Sequence, residues 1–238
     1  MRKFFFTLAI LAGFFFAMIP VQAVEREASP DWVAALPQAK DAAQLFVVAG
    51  VGPTTAWASL HEKGADGVWR QIMTTPGFIG KNGLGKTREG DAKTPVGTFR
   101  FDAAFGIAPD PGCKLPYTQV DENIYWSGDG RPGMMYNRMV DVRNLPGLDT
   151  ESSEHLISYD PHYTYALNIS YNADCVIGKG SAIFLHCFGP NKPYTGGCVA
   201  IPMHMMRVVM QTVRPGCVVV IDALEKLSPS TYYDDWNL

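Results

Sequence analysis

From Leu45 onward the chain alternates short apolar stretches with breaks rich in Gly and Pro. Seven stretches have the length and the β-branched and aromatic content of strands: Leu45 to Ala49, Trp57 to Glu62, Val68 to Met73, Thr98 to Phe101, Tyr165 to Tyr171, Ala182 to Phe188 and Cys217 to Ile221. Between the second and third, Gly64-Ala65-Asp66-Gly67 offers residues that tolerate positive φ, which predicts a hairpin. Helical signals are few. Ser29-Pro30-Asp31 sets a cap, a proline at the first helical position and an early acid ahead of Trp32 to Leu36, predicting a short helix stopped by Pro37. Pro202 to Val213, with proline at its start and Pro215-Gly216 at its end, is the one helix expected in the body of the chain. Phe105 to Asn144, rich in Gly, Pro, Tyr and Asp, is too long for a turn and predicts an excursion over one face of the sheet, a common place for binding residues. The reading is a mainly β domain over residues 44–223, with a lead segment over 24–43 and a polar, aromatic tail over 224–238.

The N-terminus has a different character. Met1-Arg2-Lys3 is positive, Phe4 to Ile19 is almost unbroken apolar sequence, and Val21-Gln22-Ala23 has the small-x-small ending of a signal-peptidase site. Residues 1–23 therefore read as a secretory signal peptide, somewhat short for a retained span, and the expected location is the periplasm or cell-wall space with no stable membrane insertion after cleavage. The 238-residue chain carries a formal charge of −3, and loss of Arg2 and Lys3 leaves 18 Lys and Arg against 23 Asp and Glu, or −5. No basic run survives, which argues against nucleic acid or an anionic membrane surface as partner. Export also makes the five cysteines potential disulfide partners, and an odd number leaves at least one thiol unpaired within a monomer.

The richest stretch for chemistry runs from Ser181 to Pro202. An apolar strand delivers His186 to its end, a Gly/Pro loop turns the chain back, and Gly196-Gly197 precede Cys198 shortly before the helix. A nucleophilic thiol needs a base within reach, a part that His186 can play, and bare glycine backbone at Gly197 can present amides to a tetrahedral oxyanion. Taken alone, the pair fits equally well a structural thiol and a core histidine. His186, Cys187, Cys198 and His204 are zinc-ligand types, but their spacings repeat no familiar ligand pair, and neighbours on a strand point to opposite faces, so no metal and no cofactor is expected.

Thr195-Gly-Gly-Cys198-Val, with His186 upstream at the end of an apolar strand, resembles the active-site motif of the L,D-transpeptidase (YkuD-type) catalytic domain. A second similarity lies in Gly80 to Phe99, where the charged turn Lys86-Thr-Arg88-Glu89-Gly90-Asp91 leads into Thr94-Pro95-Val-Gly97 and a strand. The resemblance covers most of Leu45 to Ala223 and implies a β-sandwich or barrel with one helix after the nucleophile. It implies a metal-free cysteine acyltransferase acting on peptidoglycan peptide stems: Cys198 attacks after the third stem residue, His186 carries the proton, and an amine of a second stem, or water, resolves the acyl-enzyme. It also implies that the backbone carbonyl of Cys187 orients His186. Alternatives of the same chemistry are an L,D-carboxypeptidase or an amidase releasing a wall-linked protein; a non-catalytic wall-binding module is the alternative from another class.

Two positions depart from the family pattern. Its usual histidine before the last glycine is Gly196 here, and its arginine two residues after the cysteine is Ala200. Arg138, Lys192 and Arg207 are candidates for the missing cation. Trp126, Tyr136, Asn137 and Arg138 in the excursion, with Thr195 and Gly196, form the expected substrate-binding set, since aromatic rings and amide or guanidinium groups suit a peptide or saccharide. His61, His155 and His162 lack an acidic or cysteine partner at a recognisable spacing and are expected at the surface or in packing roles. The charges of the second motif are expected as solvated loop charges or local ion pairs. A free Cys198 predicts that any disulfides join pairs among Cys113, Cys175, Cys187 and Cys217.

Overall fold

The computed structural model describes residues 26–190 and 192–228. The leader segment 1–23 and the tail beyond Ser228 lie outside the described residues. A short helix, α1 (Asp31–Ala35), and a 3-10 turn over Pro37–Lys40 precede the sheet. The strands β1 (Gln44–Gly50), β2 (Thr55–Lys63), β3 (Trp69–Phe78) and β4 (Gly97–Gly106) follow. Next come β5 (Tyr117–Gln119), β6 (Ile124–Trp126), β7 (Met139–Asp141) and β8 (Glu154–His155), then β9 (Ala166–Ile169), β10 (Phe184–Cys187) and β11 (Val199–Ile201). Helix α2 (Met203–Thr212), β12 (Val218–Ala223) and a last turn, α3 (Leu224–Leu227), complete the described chain.

The main sheet runs β12-β1-β2-β3-β11-β10-β9-β4-β5, and a further pairing of β12 with β4 closes it into a barrel. Alternation explains its layers. In β1, Phe46 and Val48 face the barrel core, while Leu45, Val47 and Ala49 face outward onto Val33, Leu36 and Ala39 of the lead segment. Both faces are covered, so the strand reads as unbroken apolar sequence rather than strict alternation. Phe46, Leu60, Leu167, Leu185 and Ile201 meet inside the barrel, and α2 adds Met206, Val209 and Met210 to the same core. Each such side chain contributes about 1.5–3 kcal/mol by leaving water.

The segment between β4 and β9 forms the outer layer. Strand β5 pairs with β4, and the small sheet β7-β6-β8 lies over the outside of β10. Phe105, Trp126 and Tyr163 surround Phe184 there, with ring centroids 5.1, 4.8 and 5.5 Å from it. Strand β10 is thus divided: Leu185 and Cys187 point into the barrel, Phe184 and His186 point out beneath the excursion.

The fold is mainly β, as expected, with these differences in the elements. The excursion runs on past Asn144 to Tyr165 and contains short strands whose three or fewer residues give no periodic signal. Strand β11 escapes detection for the same reason, and β3 and β4 continue well beyond their predicted ends. Pro30, not Ser29, holds the N-cap of α1. The Ser29 hydroxyl instead pairs with Nδ1 of buried His61, whose Nε2 meets Ser59. Among the described residues no helix is long and apolar enough to cross a membrane.

Candidate active site

Cys198 ends the loop that follows β10, and the parallel register of β10 with β11 (Leu185 beside Val199, His186 beside Ala200) sets it next to Phe184. The Phe184 amide donates to Sγ at 3.3 Å, and the thiol donates to the Ala182 carbonyl at 3.2 Å. That carbonyl is aimed by an unusual backbone: Ala182 has φ 53°, and its amide donates to Oδ1 of Asn137. The Cys198 carbonyl accepts two hydroxyls, Thr195 Oγ1 at 2.7 Å and Thr94 Oγ1 at 3.1 Å. Gly197 has φ +140°, and a Cβ there would stand 2.9 Å from the Lys93 carbonyl, so this position needs glycine. Gly196 is different, since a Cβ on it would meet nothing. The Gly197 amide already donates to Thr195 Oγ1, whereas the Cys198 amide has no partner among the described residues.

His186 lines the same cleft as Cys198, which encloses about 840 Å³. Its Nδ1 donates to the Cys187 carbonyl at 2.8 Å, leaving Nε2 as the lone-pair nitrogen. Burial drives His186 down to about 4, against the Cys187 hydrogen bond, with nearby His162 adding to the depression. Burial likewise pushes the Cys198 thiol up to about 12; the Glu154 charge adds to this, while the Phe184 amide and Lys86 oppose it. The resting pair is therefore neutral imidazole and thiol, a state suited to general-base activation during attack rather than a preformed thiolate.

The segment from Gly80 to Thr94 buttresses this loop. Lys81 N donates to Thr195 O, Thr195 N to Ile79 O, and Gly80 N to Thr94 Oγ1. Inside the segment Lys86 and Asp91 form an ion pair at 3.0 Å with side chains 2% and 7% exposed, so these two are not solvated loop charges. Burial acts to raise the Asp91 carboxyl, but amides of Thr87, Lys93 and Arg88 and the Lys86 ammonium hold it well below the usual carboxylate range. Glu89 faces the cleft and accepts the hydroxyls of Tyr136 and Ser181.

Of the expected substrate-binding set, Trp126, Thr195 and Gly196 line the cleft. Tyr136, Asn137 and Arg138 do not. Asn137 is buried, accepting Trp126 Nε1 and the Ala182 amide while donating to the carbonyls of Tyr171 and Asn172. Arg138 donates to the carbonyls of Asn137 and Ala173. These residues brace the cleft wall from behind. Of the three candidate cations, Lys192 lines the cleft, beside Lys81, whose ammonium lies over the Tyr194 ring; Arg138 and Arg207 lie elsewhere. His204 is exposed on α2, outside the cleft lining. All five cysteines are free thiols.

Sequence reasoning missed Glu154, Tyr159 and Tyr163, which also face the cleft, and left His162 as a surface or packing residue. They follow Asn144, where the pattern gave no strand, and only the pairing of Glu154 with Trp126 between β8 and β6 carries the acid to the site.

Comparisons with known proteins agree with the motifs. No curated protein matches the chain. Among solved structures, the helical cell shape determining protein Pgp2 from Campylobacter jejuni is similar at 17% identity and a TM-score of 0.42, over 77% of this chain and 49% of that one. The chain thus spans about half the length of that structure. The sequence profile of the YkuD L,D-transpeptidase catalytic domain matches residues 62–221, which take in both motifs, His186 and Cys198, and the chain belongs to that family.

Proposed function

We propose that this protein is an exported cysteine acyltransferase of peptidoglycan peptide stems, with Cys198 as nucleophile and His186 as its base. The observation that carries the reading is the shared cleft: a thiol and an imidazole whose Nδ1 is committed to the Cys187 carbonyl, so that Nε2 is left to take the thiol proton. Sγ then bonds to the carbonyl carbon of the third stem residue, the C–N bond to the terminal residue breaks, and the proton passes to that leaving amine. The Cys198 amide is the donor left for the oxyanion, in place of the Gly197 amide that Thr195 already engages. Lys81 and Lys192 supply positive charge for the carboxylates of the donor stem, in the role of the family arginine that Ala200 replaces. Residues 1–23 direct export to the cell-wall space.

Intact-protein mass after mixing the mature protein with purified tetrapeptide stems tests this. A transient adduct on the wild type, absent from Cys198→Ala, is expected. A folded protein with a titratable thiol that yields neither adduct nor product would leave a wall-binding module as the better reading. The products separate crosslinking from trimming.

A further inference from the structure

A second carboxylate-bearing residue lines the cleft that holds the nucleophile. Glu154, on β8 of the excursion, lines the cleft, and its carboxylate is close enough for its charge to bear on the Cys198 thiol. Oε2 accepts the Tyr163 hydroxyl at 2.7 Å, while Oε1 has no hydrogen bond among the described residues. Tyr163 stands between the two bases, its ring centroid 5.5 Å from that of His186. The imidazole is carried by barrel strand β10 and the carboxylate by β8 of the excursion. One strand and one layer supply each.

We propose that Glu154 is the acceptor-side base, binding the incoming amine as an ammonium and taking its proton before it attacks the acyl-enzyme. This rests on the acyl-enzyme reading above and adds the residue that takes the acceptor amine's proton. An amine that arrives protonated has no lone pair to attack with. Glu154 accepts one proton; the freed nitrogen bonds to the thioester carbonyl and gives its second proton to Nε2 of His186. The C–S bond breaks, the imidazolium returns its proton to the Cys198 sulfur, and Glu154 releases the first proton to water. The product is an amide, with thiol and imidazole regenerated. The groups around Glu154 fit this use: Tyr163 fixes one oxygen and leaves the other unengaged, while Glu89, Tyr159, Cys198, His186 and Lys86 share the cleft.

The test follows acyl-enzyme partition in Glu154→Gln and Glu154→Asp, with a tetrapeptide stem as donor and two acceptors in turn. One acceptor is an isotope-labelled stem with a free side-chain amine, protonated at pH 7; the other is hydroxylamine, already neutral there. With the stem amine, Glu154→Gln should lower the ratio of amide to hydrolysed product by about a hundredfold, with partial recovery in Glu154→Asp. With hydroxylamine the ratio should change little, a contrast that loss of cleft shape alone would not produce. Equal partition in wild type and Glu154→Gln, equal loss with both acceptors, or a wild-type adduct resolved only by water would each overturn the inference while leaving Cys198 acylation standing. No adduct in the wild type would overturn the proposed function and this inference with it.

Discussion

Burial sets the resting protonation of Cys198 and shifts His186 and Glu154, these two in opposite senses. Burial lowers His186 to about 4, whereas burial and the neighbouring Glu89 charge lift the partly buried Glu154 to about 7 against the Tyr163 hydrogen bond. On the proposed mechanism neutral His186 is the active form for acylation, so that step should lose rate only as pH falls toward 4. If Glu154 is the acceptor-side base, its carboxylate is the active form for amine transfer, so that step should fall earlier, as pH drops through about 7. Single-turnover rates of adduct formation and adduct decay, measured from pH 4 to 9, should show two separate acid limbs, and Glu154→Gln should lack the upper one. A single shared limb would contradict both assignments. Backbone constraint makes a further prediction at this scale. Gly197→Ala forces a side chain to φ +140° and against the Lys93 carbonyl, and should cost about 1–3 kcal/mol in urea unfolding as well as most acylation. Gly196→Ala meets open space and should stay within about 0.5 kcal/mol of the parent.

Elements carry the site by bringing hydroxyls and charges to fixed places. The charged turn before β4 holds its shape through the Lys86–Asp91 pair, and the same segment supplies Thr94 to the Cys198 carbonyl. Asp91→Asn leaves a buried ammonium uncompensated and should destabilise the protein by about 3–5 kcal/mol. The sign of its pH dependence follows. A carboxyl held below its unfolded value adds stability above about pH 4, lost as pH falls toward the folded value. Thermal melts of the wild type should therefore weaken on acidification below about pH 4 more steeply than those of Asp91→Asn, and parallel curves would count against the pair. Why the turn is built this way was only half legible. Thr94-Pro95-Val-Gly97 identified the segment, but nothing in the spacing told that Lys86 and Asp91 are buried or that Thr94 reaches across 104 positions to Cys198. The strand that carries His186 was readable because the apolar residues before it, Ala182 to Leu185, run without break. Strands β6, β7 and β8 were not, because each is too short for a period and is held by the aromatic cluster on β10 rather than by its own sequence. Hence Trp126 was found as an aromatic in a loop, while Glu154, two strands away in sequence and beside it in space, was not.

At the scale of the molecule, the cleft lies on the outside of a closed barrel, where strand β10 shows one face to the core and the other to the covering layer. Four distant segments meet there: the loop with Lys81 and Glu89, the excursion around Trp126 and Glu154, the strand carrying His186, and the turn carrying Cys198. Lys192 lies with Tyr194 and Pro190 on the loop before Cys198, Lys81 and Glu89 come from the segment after β3, and Glu154 belongs to the excursion.

The excursion leaves the barrel after β4 and rejoins it at β9, and these two strands are antiparallel neighbours, with Phe105 paired to Ala166. The whole covering layer is thus spliced in at one joint, and its two ends would be spanned by an ordinary tight turn. Cys198, His186 and the threonines that hold the Cys198 carbonyl belong to the barrel and its loops, but Glu154, Tyr163 and Trp126 belong to the insert. On the proposed mechanism the acceptor's base is carried by the insert, and Asn137 of the same insert, by accepting the Ala182 amide, ties it to the backbone that receives the Cys198 thiol.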